Sequence, residues 1–288
     1  MQPLDIALPG SAGALRVLRF GDGDNLVVAA HGITASAMSF AAVARALPAG
    51  WSLLAVDLRG RGGSDHAPGP FGIDQHAADL AVVASQFGTP MVLAGQSLGA
   101  YAALRAAVRT PELFTRLVLV DGGLPLPVPV GVDPDAVLEA TVGPAIARLK
   151  TTYPSEQAYL EFFQQHPALS AAWNDDLTAY VRYDAVGEPG AIRSRVNPEA
   201  VYADGRDLVV HAASFGDDLA ALTIPATLLY APRGMFGQEP GLLPQPVVDH
   251  WTAATSLTSQ LIPDCNHYTI LTDPKPAETI AHAITGGE

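Results

Sequence analysis

The stretch that most constrains this chain runs from Pro90 to Arg109, PMVLAGQSLGAYAALRAAVR. It opens on the apolar run Met91-Val92-Leu93-Ala94, the pattern of a strand buried on both faces of a parallel sheet. It closes on an Ala/Leu/Arg-rich run, Leu98 to Val108, that favours helix. Between them stands Gly95-Gln96-Ser97-Leu98-Gly99, a match to G-x-S-x-G. A strand that turns at once into a helix forces its apex residue into a cramped backbone. Glycine is needed on either side, because a Cβ there would strike the neighbouring chain. The apex side chain then stands clear of the sheet, and the Leu98 amide points into the same space from the helix N-terminus. By itself the pentapeptide also describes a harmless glycine-rich turn. With a strand before it and a helix after it, it marks Ser97 as an exposed nucleophile.

The rest of the chain builds a sheet around that stretch. Leu4–Leu8 and Ala14–Phe20 read as short strands split by the turn cluster Pro9–Gly13. Leu26–Ala30 is apolar throughout and runs straight into His31-Gly32-Ile33. Ser36–Leu47 reads as helix, Trp51–Asp57 as the next buried strand, and Leu58-Arg59-Gly60-Arg61-Gly62-Gly63-Ser64-Asp65 as a glycine-rich loop. Asp74 is expected to cap a helix reaching Phe87, and Leu117–Val120 is a further strand closed by Asp121-Gly122-Gly123. Strands alternating with helices at this spacing imply an α/β fold, a mostly parallel sheet with helices on both faces.

After Gly123 the pattern changes. Pro125, Pro127, Pro129 and Pro134 interrupt the chain, and Asp135–Lys150, Ser155–His166 and Asn174–Tyr183 read as amphipathic helices. Residues 124–217 are therefore expected to form a helical cap inserted into a core made of 1–123 and 218–288. The sheet resumes at Ala226–Ala231 and near Ser259–Ile262, and Pro276–Ile284 makes a terminal helix.

Composition narrows the class. The 288 residues are 49% apolar, enough for a large core. Sixteen basic residues against 29 acidic leave a net charge of −13, which argues against a nucleic-acid phosphate surface and an anionic membrane. The single cysteine, Cys265, excludes an internal disulfide and a cysteine metal site, and no His/Asp cluster has ligand spacing; no metal or cofactor is expected. No basic leader precedes an apolar segment and no apolar run has the length of a membrane span. The expectation is a cytoplasmic protein of unspecified oligomeric state that acts on a small molecule.

The order of these features resembles the α/β-hydrolase family: His31-Gly32 after the third strand, DLRGRGGSD after the fourth, GQSLG after the fifth, a cap after the sixth and a histidine near the C-terminus. The resemblance implies a serine that attacks an acyl carbon, a histidine that takes its proton and a carboxylate that orients the histidine. By position these are Ser97 and His267, the latter following the last expected strand. His211 and His250 lack a strand-end setting, and His31 would shape the oxyanion loop rather than move protons. The oxyanion donors would be the backbone amides of Ile33 and Leu98.

The acid departs from the family's common pattern. Apolar Met235 stands about where most members place it, in Ala231–Glu239. Asp121, at the end of the strand before the cap, is the expected acid, as in a minority of the family; Glu239 is the alternative. Asp57, Asp264 and Asp273 are poorer candidates, Asp57 reading as a tie between loops. Met38, Phe40, Leu124, Phe162, Phe163, Trp173, Met235, Phe236 and Tyr268 could face a pocket or belong to the core. Arg182, Arg193 and Arg195 could hold a substrate carboxylate or be solvated.

Together these features imply a serine esterase for a largely apolar carboxylic ester, with lactones and thioesters open to the same chemistry. The alternatives are carbon–carbon bond hydrolysis of a diketone by the same triad, and a non-catalytic ligand receptor on the same fold. Haloalkane chemistry is excluded, since it needs a carboxylate where the elbow carries Ser97.

Overall fold

A computed structural model describes residues 1–10, 13–126, 131 and 133–287. Part of the Pro9–Gly13 turn cluster (Ser11, Ala12) and of the proline-rich segment (Pro127, Pro129) lies outside them.

The first half alternates as the apolar runs require. Strands β1 (Gln2–Ala7), β2 (Ala14–Phe20) and β3 (Asn25–Ala30) lead to α1 (Ala41–Ala46), β4 (Trp51–Val56), α2 (Ile73–Ser85), β5 (Met91–Gln96), α3 (Leu98–Arg109) and β6 (Phe114–Val120). Among the described residues five helices follow before the next sheet strand: α4 (Pro134–Leu149), α5 (Glu156–Gln164), α6 (Asp175–Asp184), α7 (Pro198–Val210) and α8 (Ser214–Ala221). A two-residue antiparallel pair, β7 (Ala185–Val186) and β8 (Arg193–Ser194), lies among them. The chain ends with β9 (Ala226–Tyr230), α9 (Gln245–Ala254), β10 (Thr258–Leu261), α10 (Thr269–Thr272) and α11 (Pro274–Thr285).

Eight strands form one sheet in the order β1-β2-β4-β3-β5-β6-β9-β10, in which β2 runs against its neighbours and the rest are parallel. Alternate residues of each strand face opposite layers. Val28, Ala30, Leu54, Leu93 and Leu119 pack on the α2–α3 side, while Val27, Ala29, Leu53, Ala94 and Val118 pack beneath α11. Because β4 flanks β3 on one side and β5 on the other, the loops leaving β3 and β5 diverge. The crevice between diverging loops is where ligands settle in open α/β sheets.

Two local expectations are corrected. Ser36–Leu47 is a short 3-10 turn, Ala37–Phe40, followed by α1, because the Ala37 amide donates to Asp57 Oδ1 at 2.7 Å and fixes the entry. Asp74 does not cap α2. The cap is supplied from 132 and 134 residues away: Gly72 N donates to Asp204 Oδ1 (2.6 Å) and Ile73 N to Asp207 Oδ2 (2.8 Å), both on α7. Asp74, freed of that role, pairs with Arg105 and Arg109. The same Asp204 receives Arg61 Nη1 at 2.6 Å and His76 Nε2 at 2.9 Å, and all three side chains are fully buried. This charge cluster joins the inserted helices to the sheet. Among the described residues no helix is long and apolar enough to cross a membrane.

Candidate active site

Ser97 sits at the apex between β5 and α3 with φ 54° and ψ −122°, a backbone that side chains adopt at a cost. The surroundings hold it there. A Cβ on Gly99 would overlap the Ala30 carbonyl, one on Gly95 the Gly99 carbonyl, and one on Gly122 the Ser97 backbone. Ser97 N also donates to Val120 O at 3.0 Å, tying the apex to the end of β6.

One residue beyond that strand end, Asp121 is fully buried with φ 45°. Its amide donates to Leu229 O (2.8 Å) and its Oδ1 accepts from Ala231 N (3.1 Å), so β9 holds both backbone and carboxylate. The remaining oxygen, Oδ2, accepts from His267 Nδ1 at 2.6 Å. A carboxylate on Nδ1 assigns that proton and leaves Nε2 as the acceptor nitrogen. His267 is delivered by the loop after β10. Asn266 folds this loop by accepting from Tyr268 N and Thr269 N (3.0 Å each), and it donates to Ala168 O at 2.8 Å.

The β3 loop is fixed by His31. Its Nδ1 donates to Gly32 O (2.8 Å) and its Nε2 accepts from Leu58 N (3.0 Å), roles that a neutral ring alone can fill. Burial pushes its pKa down to about 3, with the Arg61 charge adding to the effect. Gly32 O and Ile33 N belong to one trans peptide. Holding the carbonyl on the His31 side therefore turns the Ile33 N–H to the opposite side, and Arg61 Nε secures the next carbonyl, Ile33 O, at 3.0 Å. Leu98 N is the first amide of α3 and has no acceptor within its own helix.

Ser97, His267 and Ile33 line one cavity of about 310 Å³. Its walls are mostly apolar, with Phe162, Phe163, Met235, Phe236 and Tyr268 among them, as the sequence suggests. Met38, Phe40, Leu124 and Trp173 are instead packed into hydrophobic clusters. Glu239 is exposed. Asp57 is buried and accepts from Ala37 N, Gly63 N and Tyr183 Oη, a loop tie. The carboxylate-binding role open to Arg182, Arg193 and Arg195 is not theirs by placement. Arg182 pairs with Glu156 at 2.9 Å, Arg193 donates to Ser194 O, and Arg195 lies 3.6 Å from Asp65. Burial pushes the Cys265 thiol up to about 12, so it is no competing nucleophile.

Sequence reasoning missed Gln96 and Arg148. Gln96 Nε2 donates to His267 O (3.1 Å) and lies 3.3 Å from His267 Nε2, bracing the imidazole from the residue before the nucleophile. Arg148 lines the cavity from α4 together with Thr141 and Pro144. Their spacing of three and four, which puts residues on one helix face, was the available signal.

The sheet, the strained serine turn and the buried Asp–His contact define a hydrolase fold, and the alpha/beta hydrolase family model matches residues 27–282. The chain belongs to that family. Over 182 residues it is 32% identical to N-formylmaleamate deformylase of Pseudomonas putida, covering 57% of this chain and 68% of that protein. It is 31% identical over 182 residues to a pimeloyl-[acyl-carrier protein] methyl ester esterase of Neisseria meningitidis, covering 62% and 67%. Among solved structures, E-2-(acetamidomethylene)succinate hydrolase superposes with a TM-score of 0.78 over 99% of this chain and 100% of its own, at 19% identity, a likeness of fold.

Proposed function

We propose that this protein is a serine hydrolase of carboxylic esters, working through Ser97, His267 and Asp121, with residues 124–217 as a cap over a core of 1–123 and 218–288. The observation that carries the reading is the 2.6 Å contact between His267 Nδ1 and Asp121 Oδ2, made at the sheet edge that also presents Ser97 at φ 54°.

In this reading His267 Nε2 takes the proton as Ser97 Oγ attacks the ester carbonyl. The carbonyl π electrons move onto oxygen, where the amides of Ile33 and Leu98 receive the negative charge. Such donors act without reorganising, and losing one costs about 10²–10³-fold in kcat elsewhere. As the tetrahedral intermediate collapses, the protonated imidazole gives its proton to the leaving alcohol. Water then attacks the acyl-enzyme with the same histidine as base, and the acid departs. Asp121 keeps the imidazole in the tautomer with Nε2 free and stabilises the cation that forms. Its engagement with β9 explains how a residue before the cap can serve as the acid. The cavity suits an ester whose acyl or alcohol part has apolar bulk.

Labelling by a fluorophosphonate at Ser97, accompanied by hydrolysis of a p-nitrophenyl ester, tests this reading. A protein that takes no label and turns over no ester is a ligand receptor instead.

A further inference from the structure

We propose that Arg148 makes one pole of this cavity an anion site, so that the ester cleaved carries a free carboxylate away from its scissile bond; this deepens the hydrolase reading and rests on it. Among the described residues 24 line the cavity, and none of them is an aspartate or glutamate, although the chain carries 29. Arg148 is the one lysine or arginine in that lining. Its side chain is 10% exposed, an unusual place for a guanidinium without a purpose.

The arginine is held but not used up. Nη1 donates to Tyr159 Oη at 3.0 Å, and the Phe163 ring lies 4.9 Å from Cζ. Behind it, Asp184 Oδ2 stands 3.8 Å away, already accepting from Tyr159 Oη and Ser194 Oγ. A guanidinium has five N–H donors in a fixed fork, and the Tyr159 contact takes one. Asp184 lies outside the cavity lining, so it anchors the cation from the rear while the fork keeps donors for a ligand.

The charge acts on the cavity. His166, a lining residue, has its pKa lowered first by burial and then by the Arg148 charge, and its Nδ1 is occupied by Ala168 N at 3.2 Å. A neutral ring of that kind carries its proton on Nε2 and can donate it. Tyr180 and Tyr268 also line the cavity within electrostatic reach of Arg148, and burial raises both phenols, keeping them protonated donors. One fixed cation with neutral donors around it and apolar walls elsewhere fits a carboxylate, which accepts a bidentate pair from arginine.

The test uses two pairs of substrates: p-nitrophenyl hemiglutarate against p-nitrophenyl pentanoate, and the butyryl ester of 4-hydroxybutyrate against that of its methyl ester. The first places the carboxylate on the acyl half and the second on the alcohol half. Wild type should prefer the anionic member in at least one pair. The ratio of kcat/KM, anionic over neutral, should fall by about 10- to 100-fold in Arg148→Gln, the range of hydrogen bonds to a charged group. Arg182→Gln, a surface change on the cap, should leave that ratio alone. Should Arg148→Gln fail to fold, Tyr180→Phe removes a donor of the same pole without touching Tyr159 or Asp184, and lowers the ratio several-fold. No preference in wild type, or equal losses on both members in the variants, overturns the anion site while a fluorophosphonate-labelled Ser97 leaves the hydrolase reading standing. An unlabelled Ser97 with no turnover overturns both.

Discussion

The two walls of the cavity are built on different principles. On the sheet side, Ser97 and Asp121 each lie one residue past a strand end, Ile33 and His267 on the loops after β3 and β10, and backbone hydrogen bonds and glycine contacts fix them. Ser97 is pinned to β6, Asp121 to β9, and the Ile33 peptide to His31. On the cap side, Arg148, Phe162, Phe163 and Tyr180 stand on α4, α5 and α6, which reach the sheet through scattered side-chain contacts. These include Tyr183 of α6 to Asp57 and Asn174 to the Thr272 carbonyl, while the Asp204 cluster ties the neighbouring α7 to Arg61 and His76. In the proposed function, covalent chemistry, which tolerates little displacement, falls to the sheet side. In the same proposal, selection between substrates falls to the inserted helices, whose packing can change without moving the sheet edge.

Removing the sheet-side nucleophile should have the largest effect. Ser97→Ala is expected to lower kcat by about 10⁶-fold, the scale of losing a nucleophile in a comparable serine enzyme. The unfolding midpoint should stay near wild type, because the glycine contacts, not the hydroxyl, impose the turn. A kcat within tenfold of wild type would move the chemistry off the sheet edge. Next, Asp121→Asn should cost on the order of 10⁴-fold in kcat by giving the imidazole the wrong tautomer. Glu239→Gln, exposed on its loop, should change nothing measurable. The reverse pattern, read from steady-state kinetics on one ester, would assign the acid to the loop after β9.

A third change probes the joint between the walls. Asp204→Ala leaves Arg61 buried with its ion-pair partner gone, a situation that typically costs about 3–5 kcal/mol of stability. The same arginine holds Ile33 O at 3.0 Å, so the joint touches the β3 loop, the proposed oxyanion loop. If the walls are independent, urea unfolding shows the full destabilisation while kcat of the folded protein falls far less than the ~10²–10³-fold of a lost oxyanion donor. A loss of that size would show that cap docking sets the oxyanion geometry.

The same division explains what the sequence could disclose. Ser97 and the β3 loop were legible because a strand, a turn and a helix adjacent in sequence define where they point. The position of Asp121 was legible for a related reason: it follows a strand whose neighbours could be inferred. The acid-loop alternative at Glu239 remained open because the path of a glycine- and proline-rich loop leaves no periodic trace. For Arg148 the spacing with Thr141 and Pro144 marked a shared helix face, but nothing set it apart from Arg182, Arg193 and Arg195. On an amphipathic helix, spacing says which residues share a face but not whether that face meets solvent or a cavity. The α2 cap failed for the same reason in reverse. Asp74 satisfied the local rule, and Asp204 and Asp207, about 130 residues on, occupied the site through tertiary contact.

The smallest effect expected is a flat line hiding two slopes. Burial holds His31 neutral, with its pKa depressed from 6.5 to about 3. The unfolded chain therefore binds a proton that the fold refuses, so this contribution is full above about pH 6.5 and shrinks as pH falls. Burial raises the Asp57 carboxyl from 3.8 to about 6, against the hydrogen bonds from Tyr183, Ala37 and Gly63. There the fold binds the proton more tightly, and that contribution is full below about pH 3.8 and lost as pH rises through 6. Between pH 6 and 4 each group contributes a slope of up to about 1.4 kcal/mol per pH unit, with opposite signs, and the pair cancels. Urea unfolding of His31→Gln, plotted as a difference from wild type, should show relative stability rising on acidification across that window. Asp57→Asn should show it falling. Parallel curves for all three proteins would mean that neither group titrates across the window differently in the fold and in the unfolded chain. The neutrality of His31, which its contacts to Gly32 O and Leu58 N require, would then need another cause than burial.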